Sequence, residues 1–446
     1  MNRRVRDEVL FQVASAWPDG LGKRAAIEVG LSGGLDSVVL LHVLWCLRAE
    51  RGFVLSAVHV HHGLNDAADE WADFCRTLCL RLGIPLRTTC VKVNPAGLGV
   101  EAAARQARYE VLAASTAQAV ALAHHADDQV ETFWLAALRG GGIRGLAAMP
   151  AWRELNDNLL LWRPLLGISR EMLLRYAESE GLAYVQDDSN EDTTLLRNWL
   201  RHQGLPLWRQ RVPHLNQQVL AGVSLLQEEL ALLDELAAAD WAAANHSGFF
   251  DCTVWRTFSQ ARRRKLLVSL VEKYNLGAPG MSSICDFERV LYHGKTQTAQ
   301  WQLPRGEVYA AYQRLFVLEN GWENKLAWFK QPVNDSDRLK NNLVKSGLVL
   351  CKHSFGLSED VLQGGGGVRM VCADDDILLT VGHKNVRKIL QECKVPAFVR
   401  KYWPVVTDGE NRCIAIANIW VSRHYGCLNG FLPVFEKFNP YVVEPK

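Results

Sequence analysis

Ser32-Gly33-Gly34-Leu35-Asp36-Ser37 stands between an apolar run and a helical pattern. In such a turn backbone N–H groups converge on one point, and the helix N-terminus adds positive potential. Gly33 and Gly34 let phosphate oxygens approach the main chain, while the hydroxyls of Ser32 and Ser37 add donors. A structural turn is the plainer reading of a bare Gly-Gly pair, but the strand-to-helix placement favours phosphate binding. His293-Gly294-Lys295-Thr296 ends like a Walker loop, yet Arg289 occupies the position where that loop needs its first glycine. A second constellation runs from Ala123 to Thr132. There Asp128 and Glu131, three apart, share one helical face and suit a cationic amine. Capping by Asp127 or Asp128, with a favourable first-turn Glu, is the structural alternative. His59, His61, His62, His124 and His125 invite a zinc reading, but strand alternation turns His62 away from His59 and His61, and no cysteine joins them. Nucleotide-pocket or core roles fit these histidines better, and no metal-ligand set is assigned.

The elements that must position these residues alternate in type. Residues 25–31 read as a buried strand, 38–48 as a helix, 53–60 as a strand, 66–82 as a helix and 86–93 as a strand. A helix over 100–114, a short strand over 120–123 and a helix over 128–138, ended by Gly140-Gly141-Gly142, complete the pattern. Repeated strand-helix-strand spacing means a doubly wound parallel sheet, with ligands beyond the carboxyl ends of its strands. After residue 206 the chain turns to long aliphatic and alanine-rich stretches, 219–244, and a basic run, Arg262 to Lys265, which read as helical. Polar residues from Trp322 and the tetrad Gly364 to Gly367 read as a linker into a last small domain. The expected architecture is α/β. A doubly wound, Rossmann-like catalytic domain covers 1–215, a helical domain 216–325, a linker 326–366 and a small α+β domain 367–446.

Composition narrows the class. The 446 residues are 48% hydrophobic and 22% charged, which suits a globular chain rather than a disordered one. The charged N-terminus lacks an apolar signal core, and no apolar run spans a bilayer, so a cytoplasmic location without membrane partners is expected. Eleven scattered cysteines with no CxxC pair give neither a disulfide framework nor a zinc ribbon. A net charge of +2 requires any polyanion site to be a local patch. The richest one combines Lys384, Arg387, Lys388, Lys394, Arg400 and Lys401 with Phe398, Tyr402 and Trp403; a solvated helix face is the alternative.

The SGGLDS turn resembles the PP-loop of the N-type ATP pyrophosphatases. Four further stretches make the likeness narrower: Glu101 to Tyr109 as E-x-x-A-R-x-x-R-Y, the Ala123 to Leu146 region, Arg163-Pro164-Leu165-Leu166, and Asp188-Ser189-Asn190 with Arg197-Asn198-Trp199-Leu200-Arg201. The combination is similar to the tRNA(Ile)-lysidine synthetases. That resemblance implies ATP as substrate with Mg²⁺, free L-lysine, and tRNA(Ile) with an unmodified CAU anticodon as partners, and no protein partner beyond a possible homodimer. It implies ATP binding by Ser32, Gly33, Gly34, Leu35, Asp36 and Ser37, catalysis by Asp36, Arg105 and Arg108, and lysine binding by Asp128 and Glu131. Arg105 and Arg108, one helical turn apart, match phosphate bidentately; ordinary surface arginines are the alternative. Arg197, Arg201, Lys388, Lys394 and Arg400 are the expected tRNA contacts. Asn65 stands where the family often carries an arginine, and Asp374-Asp375-Asp376 is acidic where the family tends to be basic.

Overall fold

A computed structural model describes residues 2–22, 24–63, 67–92, 100–186, 195–245, 249–294, 298–323, 338–380 and 382–442. Asn65 and Asp188-Ser189-Asn190 lie outside these residues, as do residues 326–337 of the expected linker and Lys295-Thr296. The chain divides into two compact units, residues 1–233 and 234–446.

The first unit is built on a six-stranded sheet. In chain order its elements are α1 (Asn2–Ser15), β1 (Ala26–Gly30), α2 (Leu35–Arg51), β2 (Val54–His61), α3 (Ala68–Leu82), β3 (Leu86–Cys90), α4 (Val100–Ala113) and β4 (Ala119–Ala121). They continue with α5 (Ala126–Leu138), α6 (Ile143–Leu146), β5 (Trp152–Asn156), β6 (Leu159–Trp162) and α7 (Arg170–Ser179). The strand order is β3-β2-β1-β4-β6-β5, parallel throughout except where β5 runs against β6. The chain winds outward from β1 through β2 to β3, then returns to place β4 on the other side of β1, pairing Ile27 with Ala119 and Val29 with Ala121. Strand order therefore reverses between β1 and β4, and the crevice beyond their carboxyl ends is where such sheets bind ligands.

Burial explains why these segments take these forms. Ile27 and Val29 on β1 are fully buried, as are Val39, Leu40, Leu41, Val43 and Leu44 of α2, so this helix is apolar nearly all round and runs through the core. Gly52 closes α2 in a left-handed conformation, its N–H bonding the Arg48 carbonyl. α8 (Leu196–Trp199), a π-turn over Leu200–Gly204 and α9 (Leu205–Arg211) follow as one continuous helical path. α10 (Leu215–Ala244) then leads from the first unit into the second.

The middle of the chain is helical, with α11 (Cys252–Thr257), α12 (Gln260–Lys273) and α13 (Met281–His293). It also carries an antiparallel sheet that no periodicity announced, ordered β7 (Phe250–Asp251), β10 (Arg314–Glu319), β9 (Gly306–Ala311) and β8 (Thr298–Leu303). The basic run on α12 is largely spent inside this unit. Arg262 pairs with Asp240, Arg263 lies 2.7 Å from Glu288 and Lys265 lies 2.7 Å from Asp234.

Two expectations for the last domain are corrected. Gly366 and Gly367 open a strand, Gly366–Met370, rather than belonging to a linker. A Cβ on Gly366 would lie 2.3 Å from the Thr407 carbonyl oxygen, so the glycine is there for close strand approach. Tyr402 and Trp403 are core residues, 7% and 0% exposed, and Phe398 packs against Tyr309, Phe316 and Trp322. The aromatics among the basic residues thus form the inner face of the segment, not a stacking surface. Among the described residues no helix is long and apolar enough to cross a membrane.

Candidate active site

The phosphate loop is a closed hydrogen-bond knot. Ser37 Oγ accepts from the Ser32 and Gly33 N–H groups, both at 3.2 Å, and donates to the Gly34 carbonyl at 2.9 Å. Gly33 sits at φ +94°, and a Cβ there would lie 2.7 Å from the Val185 side chain, so only glycine fits both the conformation and the space. Its carbonyl accepts from the Val185 N–H at 2.9 Å, which ties the loop to the segment after α7. Beneath the loop, His59 on β2 makes a 2.9 Å Nδ1 contact with the Leu31 carbonyl and lies 3.6 Å from Cys75 Sγ. Burial pushes the Cys75 thiol up to about 12, so it is an inert packing group.

Across the crevice, β4 ends at Ala121 and His124 and His125 lead into α5. Asp128 is held at the first turn, accepting from the His125 backbone N–H at 3.1 Å. Its capping role is therefore real, yet its other oxygen faces inward. His125 Nε2 lies 3.6 Å from both Asp36 and Asp128, so a buried imidazole bridges the phosphate loop and the carboxylate helix. Burial alone would lower the His125 pKa; the close approach of Asp36 and the charges of Asp128 and Asp36 outweigh this and raise it. Burial opposes ionisation of Asp128 as well, but His125, His124 and the His125 N–H hold its carboxyl below the usual range. His124 behaves oppositely, pushed down to about 4 by burial against the pull of Asp128, with Arg163, Arg105 and Arg197 adding to the depression. The two neighbouring histidines are thus shifted in opposite directions, His125 up and His124 down.

Asp128 and Glu131 are 8% and 2% exposed. Two buried carboxylates one turn apart would each cost several kcal/mol if unpaired. Arg201 donates to Glu131 Oε1 at 2.6 Å, Glu131 Oε2 at 2.9 Å and Asp128 Oδ1 at 3.1 Å. Arg197 donates to Glu131 at 3.0 Å and Asp128 at 3.4 Å. Both arginines, expected on tRNA, stand inside the crevice as the counter-charges of the carboxylate pair. They lie on either side of the junction between α8 and the π-turn, a helix irregularity that recurs at functional sites.

The remaining candidates are placed as follows. Arg105 and Arg108 on α4 are exposed; Arg105 bears on His124, and Arg108 helps lower His62 at the end of β2, burial being the larger cause. Both therefore reach the carboxyl edge of the sheet. Asp36 Oδ1 is buried without a hydrogen-bond partner among the described residues. Lys388 is exposed on helix Val386–Glu392, Lys394 is half-buried, and Arg400 is turned inward, donating to the Val395 carbonyl at 2.8 Å and the Tyr312 hydroxyl at 2.7 Å. Sequence reasoning gave His125 a nucleotide-pocket or core role together with four other histidines and did not single it out; its signal was its position, immediately before a capped helix at a strand end. Among the described residues no cluster of three metal-ligating side chains forms.

The matched family models and the curated relatives agree with one another. The PP-loop domain family matches residues 8–208, and the TilS substrate C-terminal domain family matches residues 367–430. A tRNA(Ile)-lysidine synthase of Neisseria gonorrhoeae is 45% identical over 423 residues, covering 95% of this chain and 94% of its own length. One from Chromobacterium violaceum is 37% identical over 436 residues, covering 95% and 98%. Among solved structures, the U34-tRNA thiolase NcsA from Methanococcus maripaludis overlaps 50% of this chain and 80% of its own, with 18% identity and a TM-score of 0.44.

Proposed function

The chain belongs to the tRNA(Ile)-lysidine synthase family, and from that premise we propose that it joins free L-lysine to carbon 2 of the wobble cytidine in tRNA(Ile) with an unmodified CAU anticodon. Oxygen 2 of the cytosine attacks the α-phosphorus of ATP, and the bond to pyrophosphate breaks. The ε-amine of lysine then attacks carbon 2, AMP leaves with the former base oxygen, and the amine gives up a proton. The product, lysidine, shifts decoding from AUG to AUA.

What carries this reading is that the phosphate loop and a buried carboxylate pair face one crevice, joined through His125. The N–H groups at the opening of α2, held in place by the loop's hydrogen-bond knot, stabilise charge on the departing pyrophosphate, the electrostatic contribution that dominates such chemistry. Arg105 and Arg108 offer guanidinium groups to phosphate oxygens from the edge of the sheet. The partnerless buried oxygen of Asp36 fits a hard divalent cation, and Mg²⁺ held there would supply neutralising charge to the triphosphate. His125, whose protonated form these two carboxylates favour, stands between Asp36 and Asp128 and lessens their mutual repulsion.

Asp128 and Glu131 take the lysine ammonium. A bare carboxylate pair would repel ATP, but Arg197 and Arg201 balance it, so an incoming ammonium binds by sharing or displacing guanidinium donors. A carboxylate next to the amine can also accept its proton before attack. The test is pyrophosphate release from labelled ATP, with and without lysine and an unmodified tRNA(Ile) transcript. Release that needs the transcript but not lysine is expected, followed by incorporation of labelled lysine into RNA. Release that needs lysine but not RNA would mean that the amino acid is activated instead of the base, and would overturn the order of steps.

A further inference from the structure

Asp127 directly precedes the carboxylate pair in the chain but serves a different set of partners. Its Oδ2 accepts from the backbone N–H of Arg170, the first residue of α7, at 3.0 Å and lies 4.0 Å from His125 Nδ1. Its Oδ1 accepts from Arg209 Nη2 and from Asn216 Nδ2, both at 3.2 Å. Arg209 Nε donates in turn to Asn216 Oδ1 at 3.0 Å, which closes a ring of three side chains from α5, α9 and α10. The Arg209 and Asp127 side chains are only partly exposed, so this ring is not an ordinary solvated surface pair.

Arg209 lies on the same helical path as the two arginines that occupy the carboxylate pair. Arg197 and Arg201 sit at the junction of α8 with the π-turn, and Arg209 follows Arg201 by roughly two helical turns. α5 therefore meets this path at two places, through Asp128 and Glu131 on the arginine pair and through Asp127 on Arg209. Between them Leu205 and Trp208 pack with Val130, Val219 and Val223, and the Trp208 and Trp134 rings are centred 4.6 Å apart. A guanidinium tethered to the protein competes with a free ammonium for the same carboxylates. Its strength as a competitor is its effective concentration there, which rises as its segment is held more firmly in place.

We propose that Asp127 is a positioning residue for the lysine-binding step: through Arg209 and Asn216 it holds the α8–α9 path so that Arg197 and Arg201 rest on Asp128 and Glu131 until an amine displaces them. The inference rests on the reading that this carboxylate pair receives lysine. Asp127 then sets how much lysine the second step needs and has no part in adenylation. The sign is distinctive. Loosening the ring weakens the competitor, so less lysine is needed, whereas damage to the site itself would demand more.

The full-length chain carrying Asp127→Asn, Arg209→Gln or both tests this in labelled-lysine incorporation into an unmodified tRNA(Ile) transcript, measured across lysine concentrations alongside pyrophosphate release. Each single variant should lower the half-saturating lysine concentration roughly two- to fivefold, the scale of a partly exposed ion pair, with RNA-dependent pyrophosphate release unchanged. The double variant should match either single one, because both remove the same tie. Arg209→Lys, which keeps the charge, should stand nearer the wild type. An unchanged or raised half-saturating concentration in either single variant would overturn the proposal, since a purely structural Asp127 would lower melting temperature and maximal rate without lowering the lysine requirement. Additive effects in the double variant, or loss of pyrophosphate release, would overturn it too. If Asp127→Asn loses its melting transition, Arg209→Gln alone is read by the same criteria, with Arg209→Lys as its rescue. Lysine transfer by the wild type separates the two readings: transfer with an unmoved lysine requirement in the variants sinks only the role of Asp127, whereas no transfer by the wild type sinks the proposed reaction.

Discussion

The crevice between β1 and β4 and the basic surface of the second unit use the same residue types to different ends. In the crevice, charges are buried and mutually compensated: Arg197 and Arg201 against Asp128 and Glu131, and His125 between Asp36 and Asp128. In the second unit, charge divides between internal ties and free-standing surface. Arg262 and Arg263 are tied to carboxylates and Arg400 to a carbonyl and a hydroxyl, while Lys388 and Arg387 face solvent. A cation count therefore says little about polyanion binding until each cation's partners are known. A motif that fixes backbone geometry, such as the phosphate loop, says a great deal.

The comparison breaks hardest at Asp36. Asp36→Ala should fold, because the loop knot runs through Ser37 and not through this carboxylate, yet lose adenylation by two to three orders of magnitude. Wild-type AMP formation by that variant would remove Asp36 from the chemistry. Next in size is Glu131→Gln, which should keep much of the RNA-dependent pyrophosphate release while raising the lysine requirement. Losing a charged hydrogen bond costs about 1.5–3 kcal/mol, so the requirement should rise roughly ten- to a hundredfold in labelled-lysine incorporation. Loss of adenylation with unaltered lysine dependence would assign Glu131 to the nucleotide. Ornithine should fail for a related reason: its shorter chain cannot bring the amine to carbon 2 while its other end stays anchored.

A smaller effect separates the two kinds of cation in the second unit. Lys388→Gln should weaken tRNA binding uniformly and lower the salt slope by about one. Arg400→Gln should instead lower the melting temperature, since two of its donors serve the fold. Equal salt slopes for Lys388→Gln and wild type would leave the exposed helix face without a role in binding.

The smallest predicted effect is on pH dependence. His125 has a folded pKa above its ordinary 6.5, so its contribution to stability is complete below 6.5 and is lost as pH rises through the folded value. Asp128 has a folded pKa below its ordinary 3.8, so its contribution is present above 3.8 and is lost as pH falls through the lower folded value. Between those limits the pair is mutually supporting. His125→Asn should flatten the decline of melting temperature on the alkaline side, and an unchanged profile would show that the imidazole is neutral in the fold.

The parallel sheet, the six consecutive elements from β1 to α4 and the loop between β1 and α2 were legible because each rests on local rules: apolar runs, a left-handed glycine, periodic burial. The carboxylate pair was legible as a pair, but its partners were not, because Arg197 is 66 residues from Glu131 and meets it only through the fold. The middle sheet was hidden for a different reason. Thr298–Leu303 and Gly306–Ala311 carry mixed alternation and small residues, and their turn to β10 uses Tyr312-Gln313 where turn chemistry would be sought as Asn-Gly. The aromatic residues after Lys394 misled because aromatic and basic residues interleave both on RNA-binding surfaces and on amphipathic helices that cover a core.

The sulfur beneath the phosphate loop has a consequence for redox chemistry. Cys75 and Cys79 are buried, with thiols pushed up to about 12 and about 11, so almost no thiolate exists at neutral pH for an oxidant or alkylating reagent to attack. Cys90, Cys351, Cys372 and Cys427 are exposed and would react first. Peroxide or a maleimide should therefore decorate the outside of this enzyme while its nucleotide loop stays chemically untouched, and a fluorophore on an exposed thiol can report on RNA binding without disturbing ATP.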